Sequence, residues 1–287
     1  MATLGKGFIA GYRLTKLLHN GQTTQVWEAV RQGDPPRVVF KAIPPAAAQD
    51  RANVNELKYE FRVVSSLRHP NVIRALQLGE DGGVHFMMME FFAAESLKAA
   101  IRDRFDDLVY DVPQIIEQAA EGLCFVNLQG WVHRDIKPDN YLLNQEARVK
   151  LIDFSIAQKK GGLLSRLFTK APSAAGTKSY IAPEQIKGGH VDERADVYGF
   201  GCMVFELISG KLPYTASSAN ALLNKHLKAP VPSLRTACDN VTPEFSDLVG
   251  RTMAKRTEDR PKSMYEFLKD FRTMRVFHTQ PRRMTEP

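Results

Sequence analysis

The 287-residue chain carries 39 Lys and Arg against 32 Asp and Glu, for a formal net charge of +7, with 44% apolar and 25% charged residues. Those are the proportions of an ordinary soluble globular protein, long enough for one large domain or two closely joined lobes. The basic residues are spread along the chain with no run of five or six and no interleaved aromatics. A solvated basic surface is therefore expected, and no nucleic-acid partner.

Three cysteines, Cys124, Cys202 and Cys238, form no C-x-x-C pair, which argues against a disulfide framework and a zinc site. Cys124 and Cys202 sit among apolar neighbours and are expected in the core, in a reducing, cytoplasmic setting. Residues 1–8 hold no apolar run of signal-peptide length. The most apolar stretch, 197–208, is interrupted by Glu206 and falls short of the roughly 20 residues that cross a bilayer. No membrane segment is expected in this chain.

In chain order, residues 12–18, 25–31 and 37–43 read as short strands, β-branched or alternating, separated by turn signals at Asn20-Gly21 and Gly33-Asp34-Pro35-Pro36. A helix over about 52–67 follows, its apolar residues Leu57, Phe61, Val64 and Leu67 recurring at three- and four-residue spacing, and His69-Pro70 ends it. Two more strands near 72–78 and 84–90 complete a small sheet. Beyond Glu95 the pattern turns helical, over 113–129, 195–208, 219–227, 244–253 and 263–272. Thr242-Pro243-Glu244 and Thr257-Glu258-Asp259 read as helix starts. The polar residues after Phe277 read as a disordered tail.

The most informative octapeptide is His133-Arg134-Asp135-Ile136-Lys137-Pro138-Asp139-Asn140. It resembles the catalytic loop of protein kinases, in which an Asp and an Asn stand five residues apart. Phosphoryl transfer requires a carboxylate to orient and deprotonate the attacking hydroxyl, and an oxygen ligand for a cation on the triphosphate. Asp135 and Asn140 fit those roles, and Lys137 would neutralise charge on the transferring phosphate. Asp153-Phe154-Ser155, thirteen residues on, resembles the family's D-F-G, whose Asp holds Mg²⁺ (or Mn²⁺). Val38-Val39-Phe40-Lys41 resembles the V-A-I-K strand. Lys41 would contact the α- and β-phosphates, with Glu60 on the following helix as its counter-ion.

Downstream, Gly176-Thr177-Lys178-Ser179-Tyr180-Ile181-Ala182-Pro183-Glu184 resembles the end of a kinase activation segment. Glu184 would pair with Arg260, and Asp196 resembles the buried Asp that holds the catalytic-loop backbone. The likeness runs from about Tyr12 to Phe271. It implies an α+β, bilobal kinase fold over 1–277: a small antiparallel β-sheet N-lobe with one helix (about 8–90), a hinge (about 90–96) and a larger, mainly helical C-lobe (about 97–277), with a polar tail over 278–287. It further implies that ATP sits against Gly21, Val26, Val39 and Leu142, its adenine hydrogen-bonded by backbone near Glu90 and Phe92. Lys137-Pro138 and Thr177 resemble kinases that phosphorylate Ser and Thr of protein substrates. The Ala-Pro-Glu-Gln ending resembles bacterial members.

The sequence departs from the family at three places. The glycine positions of the phosphate-covering loop, aligned on Val26, hold His19, Gly21 and Thr24, so only the middle glycine is kept. The side chains at His19 and Thr24 are expected to stiffen or lift the loop and weaken ATP binding. Ser155 replaces the D-F-G glycine and is expected to restrict the Asp153-Phe154 hinge. Val39 replaces an alanine and narrows the adenine pocket. These changes keep a pseudokinase or nucleotide-binding scaffold as the alternative to an active enzyme. Arg134 before the catalytic Asp suggests control by phosphorylation of the segment 153–184, with Ser173, Thr169 and Thr177 as candidates and self-association as a route to it.

Overall fold

The computed structural model describes residues 7–33, 35–161 and 178–281. Among them the chain divides into two compact units: residues up to Ala93 together with Asp153–Ser155, and Ala94–Ile152 together with the chain from Ile156 onward. The candidate phosphorylation sites Ser173, Thr169 and Thr177 lie outside the described residues.

The first unit is built on one antiparallel sheet of six strands: β1 (Phe8–Ile9), β2 (Tyr12–Asn20), β3 (Gln25–Val30), β4 (Arg37–Ile43), β5 (Ala75–Asp81) and β6 (Val84–Glu90), in the order β1-β2-β3-β4-β6-β5. Strand β3 alternates buried and half-buried side chains, placing Gln25, Trp27 and Ala29 on one face. Trp27 packs there with Tyr12, Leu14, Phe40 and Phe86, and Phe40 meets both Tyr12 and Phe86 edge-on. A one-turn helix α1 (Pro45–Ala48) leads into α2 (Arg51–Ser65). Asp50 caps α2, its carboxylate accepting from the Ala52 N–H. The buried stripe of α2, Val54, Leu57, Glu60, Val63 and Val64, is apolar except at Glu60. The strand expected over 72–78 forms three residues later, because the backbone of Arg74 exchanges hydrogen bonds with Glu90, whose side-chain Oε1 accepts the Arg74 N–H.

The second unit is mainly helical. Short strands β7 (Glu95–Ser96), β9 (Tyr141–Leu143) and β10 (Val149–Leu151) form one ladder, and β8 (Trp131–Val132) pairs with β11 (Gln158–Lys159). The helices are α3 (Leu97–Asp103), α4 (Phe105–Leu108), α5 (Val112–Leu128), α6 (Pro183–Ile186), α7 (Glu193–Ser209), α8 (Ala219–Lys228), α9 (Pro243–Thr252) and α10 (Met264–Phe271). Helix α7 is the centre: every residue from Ala195 to Ile208 is buried, Glu206 included. It starts on the Asp192 cap and stops at Gly210, whose φ of 67° is the left-handed conformation that ends helices. Gly201 lets α9 come close, since a Cβ there would lie 1.9 Å from Thr252 Oγ1.

Thr257–Asp259, expected to begin a helix, makes only a 3₁₀ turn. Pro261 forces Arg260 into an extended backbone (φ −88°, ψ 160°), and the helix starts afresh at the Ser263 cap. The start of the polar tail is tied down: the His278 N–H donates to the Asn240 carbonyl, and the Thr279 N–H to Asn240 Oδ1. Cys124 and Cys202 are buried, as expected, and all three cysteines are unpaired. Among the described residues no helix is long and apolar enough to cross a membrane.

Candidate active site

In the first unit, the expected Lys41–Glu60 pair is formed, Lys41 Nζ lying 2.6 Å from Glu60 Oε2 and 3.3 Å from Asp153 Oδ1. Lys41 projects from β4, where the Val26↔Lys41 pairing fixes its register, and Glu60 from the one polar position in the buried stripe of α2. Burial opposes the Lys41 ammonium, but the combined attraction of Asp153 and Glu60 outweighs it and lifts its pKa above the ordinary lysine value. Burial raises the pKa of Glu60, and the Lys41 charge works against that rise. Asp153 remains partly open, with its side chain 36% exposed.

Asp153 itself takes φ of 63°, whereas Ser155 is not among the residues with positive φ. The positive φ at this motif therefore falls on the aspartate, and Ser155 takes its place without left-handed strain. Val26 and Val39 lie in adjacent strands of the same sheet, and Glu90 donates its N–H to the Arg74 carbonyl. Phe92 lies just before the boundary of the unit, and Leu142 belongs to β9 of the second unit.

In the second unit, Asp135, Lys137 and Asn140 converge. Lys137 Nζ donates to Asp135 Oδ2 at 2.8 Å, and Asn140 Nδ2 donates to the Asp135 carbonyl (2.7 Å) and to Oδ2 (3.0 Å). A 3₁₀ turn over Pro138–Asn140 closes the loop. The Ile152 N–H donates to the Asn140 carbonyl, tying the loop to the strand that leads into Asp153. His133 is fully buried. The Asp135 N–H donates to its Nδ1 (3.4 Å), so Nε2 carries the proton and donates to the Ile152 carbonyl (3.1 Å).

Asp196, at the N-terminal end of α7, holds this loop from below. Its Oδ1 accepts the Arg134 N–H at 2.7 Å. Its Oδ2 accepts the His133 N–H and Asn127 Nδ2, each at 2.9 Å. Burial raises its pKa, and the three donors together with His133 counter that rise. The strain they hold is at Arg134, a non-glycine residue at φ of 71° immediately before Asp135. Glu184 and Arg260 form the expected tie, fork to fork: Nη1–Oε1 is 2.7 Å and Nη2–Oε2 is 2.9 Å. The Arg260 side chain is wholly buried and also donates to the Ala254 and Arg194 carbonyls.

Two supports escaped the sequence reading. Glu206 accepts from the Tyr180 hydroxyl and from Lys98 Nζ, joining the end of the activation segment to α7 and α3. A single carboxylate inside the apolar run 197–208 was its signal. Gln185 donates Nε2 to the Arg134 carbonyl at 3.0 Å and accepts the Ala182 N–H at Oε1. An exposed-looking glutamine after Ala-Pro-Glu carries no sequence signal of that kind.

Each unit by itself carries oxygen chemistry that suits a divalent cation. Asp153 offers a partly open carboxylate beside the Lys41 ammonium, and the amide hydrogens of Asn140 are committed to Asp135, so its oxygen is the atom with ligand chemistry. The chain is similar to serine/threonine-protein kinase PknL of Mycobacterium tuberculosis, 30% identical over 251 residues, 87% of this chain and 62% of the relative. It is similar also to serine/threonine-protein kinase PrkC of Bacillus subtilis, 28% identical over 94% of this chain and 41% of the relative. The chain thus spans less than two thirds of these relatives' lengths. The crystal structure of the Mycobacterium tuberculosis PknI kinase domain superposes with a TM-score of 0.70 at 25% identity, covering 95% of this chain and 99% of that one. Residues 12–271 match the protein kinase domain family, and the chain belongs to it.

Proposed function

We propose that this chain transfers the γ-phosphate of ATP to Ser or Thr hydroxyls of protein substrates. The observation that carries the reading is the Asp135 carboxylate, held by Lys137 and Asn140 on a loop pinned at Arg134. Asp135 accepts the proton of the attacking hydroxyl as its oxygen bonds to the γ-phosphorus, and ADP leaves with the bridging oxygen. Lys137, 2.8 Å from Asp135, offsets negative charge developing on the transferred group. Lys41, kept in place by Glu60, binds the α- and β-phosphates. Asn140 and Asp153 would hold Mg²⁺ or Mn²⁺, which neutralises the triphosphate. The three unpaired cysteines suit a reducing cytoplasm. Phosphate on the segment 153–184 would come from a second copy of the chain.

The test is incorporation of label from ATP and Mg²⁺ into Ser or Thr of a basic protein substrate, with Asp135→Asn as control. Incorporation that the control abolishes supports the reading. Tight nucleotide binding with no transfer by the wild-type chain would favour the scaffold alternative, or a kinase awaiting its activator.

A further inference from the structure

The turn between β2 and β3, where the family carries its glycines, is joined to the core by a chain of side-chain hydrogen bonds. The Trp27 indole N–H donates to Gln25 Oε1 at 3.1 Å, and Gln25 Nε2 donates to Asn20 Oδ1 at 3.1 Å. An indole nitrogen can only donate, so Trp27 fixes which end of the Gln25 amide faces it. That in turn fixes the Asn20 amide. Trp27 is anchored among Tyr12, Phe40 and Phe86. Gln25 is only 2% exposed, and a buried amide without partners would be costly. Asn20, by contrast, is exposed and pairs with Gln25 as the last rung of the β2–β3 ladder.

Above that rung the turn closes by a backbone hydrogen bond from the Gly21 N–H to the Thr24 carbonyl, 2.9 Å. The approach is tight: a Cβ on Gly21 would stand 3.1 Å from that carbonyl and 3.5 Å from His19 Nε2. The one retained glycine is the one the closure needs. His19 and Thr24 reduce the conformations open to the turn, and the Asn20–Gln25–Trp27 chain selects among those left. Gln25 shares the buried face of β3 with Trp27, while Val26 occupies the other face, so Gln25 works through the turn and not by touching nucleotide.

We propose that Gln25 is a positioning residue for the triphosphate. Linked to Asn20 and Trp27, it holds the β2–β3 turn in its phosphate-binding shape where the family relies on glycine freedom. The inference rests on the reading of the chain as an ATP-using kinase. A turn already shaped loses little conformational entropy when it closes on phosphate.

The experiment measures equilibrium binding of ATP with Mg²⁺, and of adenosine, to the wild-type chain, Gln25→Met, Asn20→Ala and the double variant. Gln25→Met keeps the side-chain volume and removes both amide bonds; Asn20→Ala cuts the upper link on the surface and leaves the core intact. Each single variant is expected to weaken ATP binding about tenfold, or about 1.4 kcal/mol, with adenosine affinity within twofold. The double variant should be no weaker than either single, because both cut one link. ATP affinity within twofold of wild type in Asn20→Ala overturns the proposal. So do parallel losses for ATP and adenosine, or additive losses in the double variant. A wild-type chain that binds ATP but transfers no phosphate overturns the kinase reading while the ATP-to-adenosine comparison still decides the role of Gln25. A wild-type chain that binds neither overturns both.

Discussion

Replacing Asp196 with Asn separates the two things this carboxylate does. Two donors converge on Oδ2 and one on Oδ1, so an amide keeps the most hydrogen bonds with its oxygen in the Oδ2 place. Its NH₂ then faces the Arg134 N–H, and that donor loses its acceptor. A hydrogen bond to a charged acceptor contributes about 1.5–3 kcal/mol. Against this loss, the neutral side chain escapes the burial penalty that raises the Asp196 pKa. Arg134 also relaxes from φ of 71°, recovering about 1–3 kcal/mol of backbone strain. The terms nearly cancel in stability, so the unfolding midpoint should move by less than about 4 °C, roughly 2–4 °C per kcal/mol for a chain of this size.

Activity has no such compensation. Once strain of about 1–3 kcal/mol is no longer pinned, the loop geometry at Asp135 is depopulated by about 5- to 150-fold, and kcat should fall by that factor. ATP affinity should stay within twofold, because Lys41, Glu60 and Asp153 are untouched. Thermal unfolding, nucleotide titration and steady-state kinetics on Asp196→Asn test this together. Unchanged kcat would refute the reasoning, and so would a fall in midpoint beyond about 10 °C, which would make the carboxylate a stability element first.

Two further outcomes are expected. Glu184→Gln leaves the wholly buried Arg260 guanidinium without a counter-ion, at a cost of about 3–5 kcal/mol, so the midpoint should drop by roughly 6–20 °C; a drop under about 2 °C would show that the carbonyls of Ala254 and Arg194 suffice. His226 is buried, with Nδ1 2.8 Å from the Tyr198 hydroxyl, and burial, then the Lys255 charge, pulls its pKa down to about 4 from an ordinary 6.5. The unfolded chain binds that proton first, so stability present above pH 6.5 is lost as pH falls towards 4. His226→Gln should flatten this window in a series of midpoints against pH, and identical curves would rule the histidine out.

Most of the side-chain pairings of the candidate site could be read from residue order, because each motif is chemically dense over a few positions. Asp135, Lys137 and Asn140 lie within six residues, and one tight loop brings them together whatever surrounds it. The Lys41–Glu60 pair was legible at longer range, since a strand lysine and a helix glutamate each break an otherwise apolar face. Local pattern misplaced the strand at 72–78, where a side-chain bond between Glu90 and Arg74 sets the start. It also overlooked Pro261, which stops a good helix cap at Thr257 from being used.

What the sequence determined by itself was the family, the candidate chemistry of its motifs and the two-part α+β layout, because hydrophobic period and motif spacing are local and survive any packing. What only the tertiary structure decided was which residues hold that chemistry in shape. Asp196 pinning a strained Arg134, Glu206 gathering Lys98 and Tyr180, and Gln25 reaching from Trp27 to Asn20 all follow from burial. A polar group removed from water must find its partner wherever the folded chain provides one, and that partner bears no fixed relation to distance along the sequence.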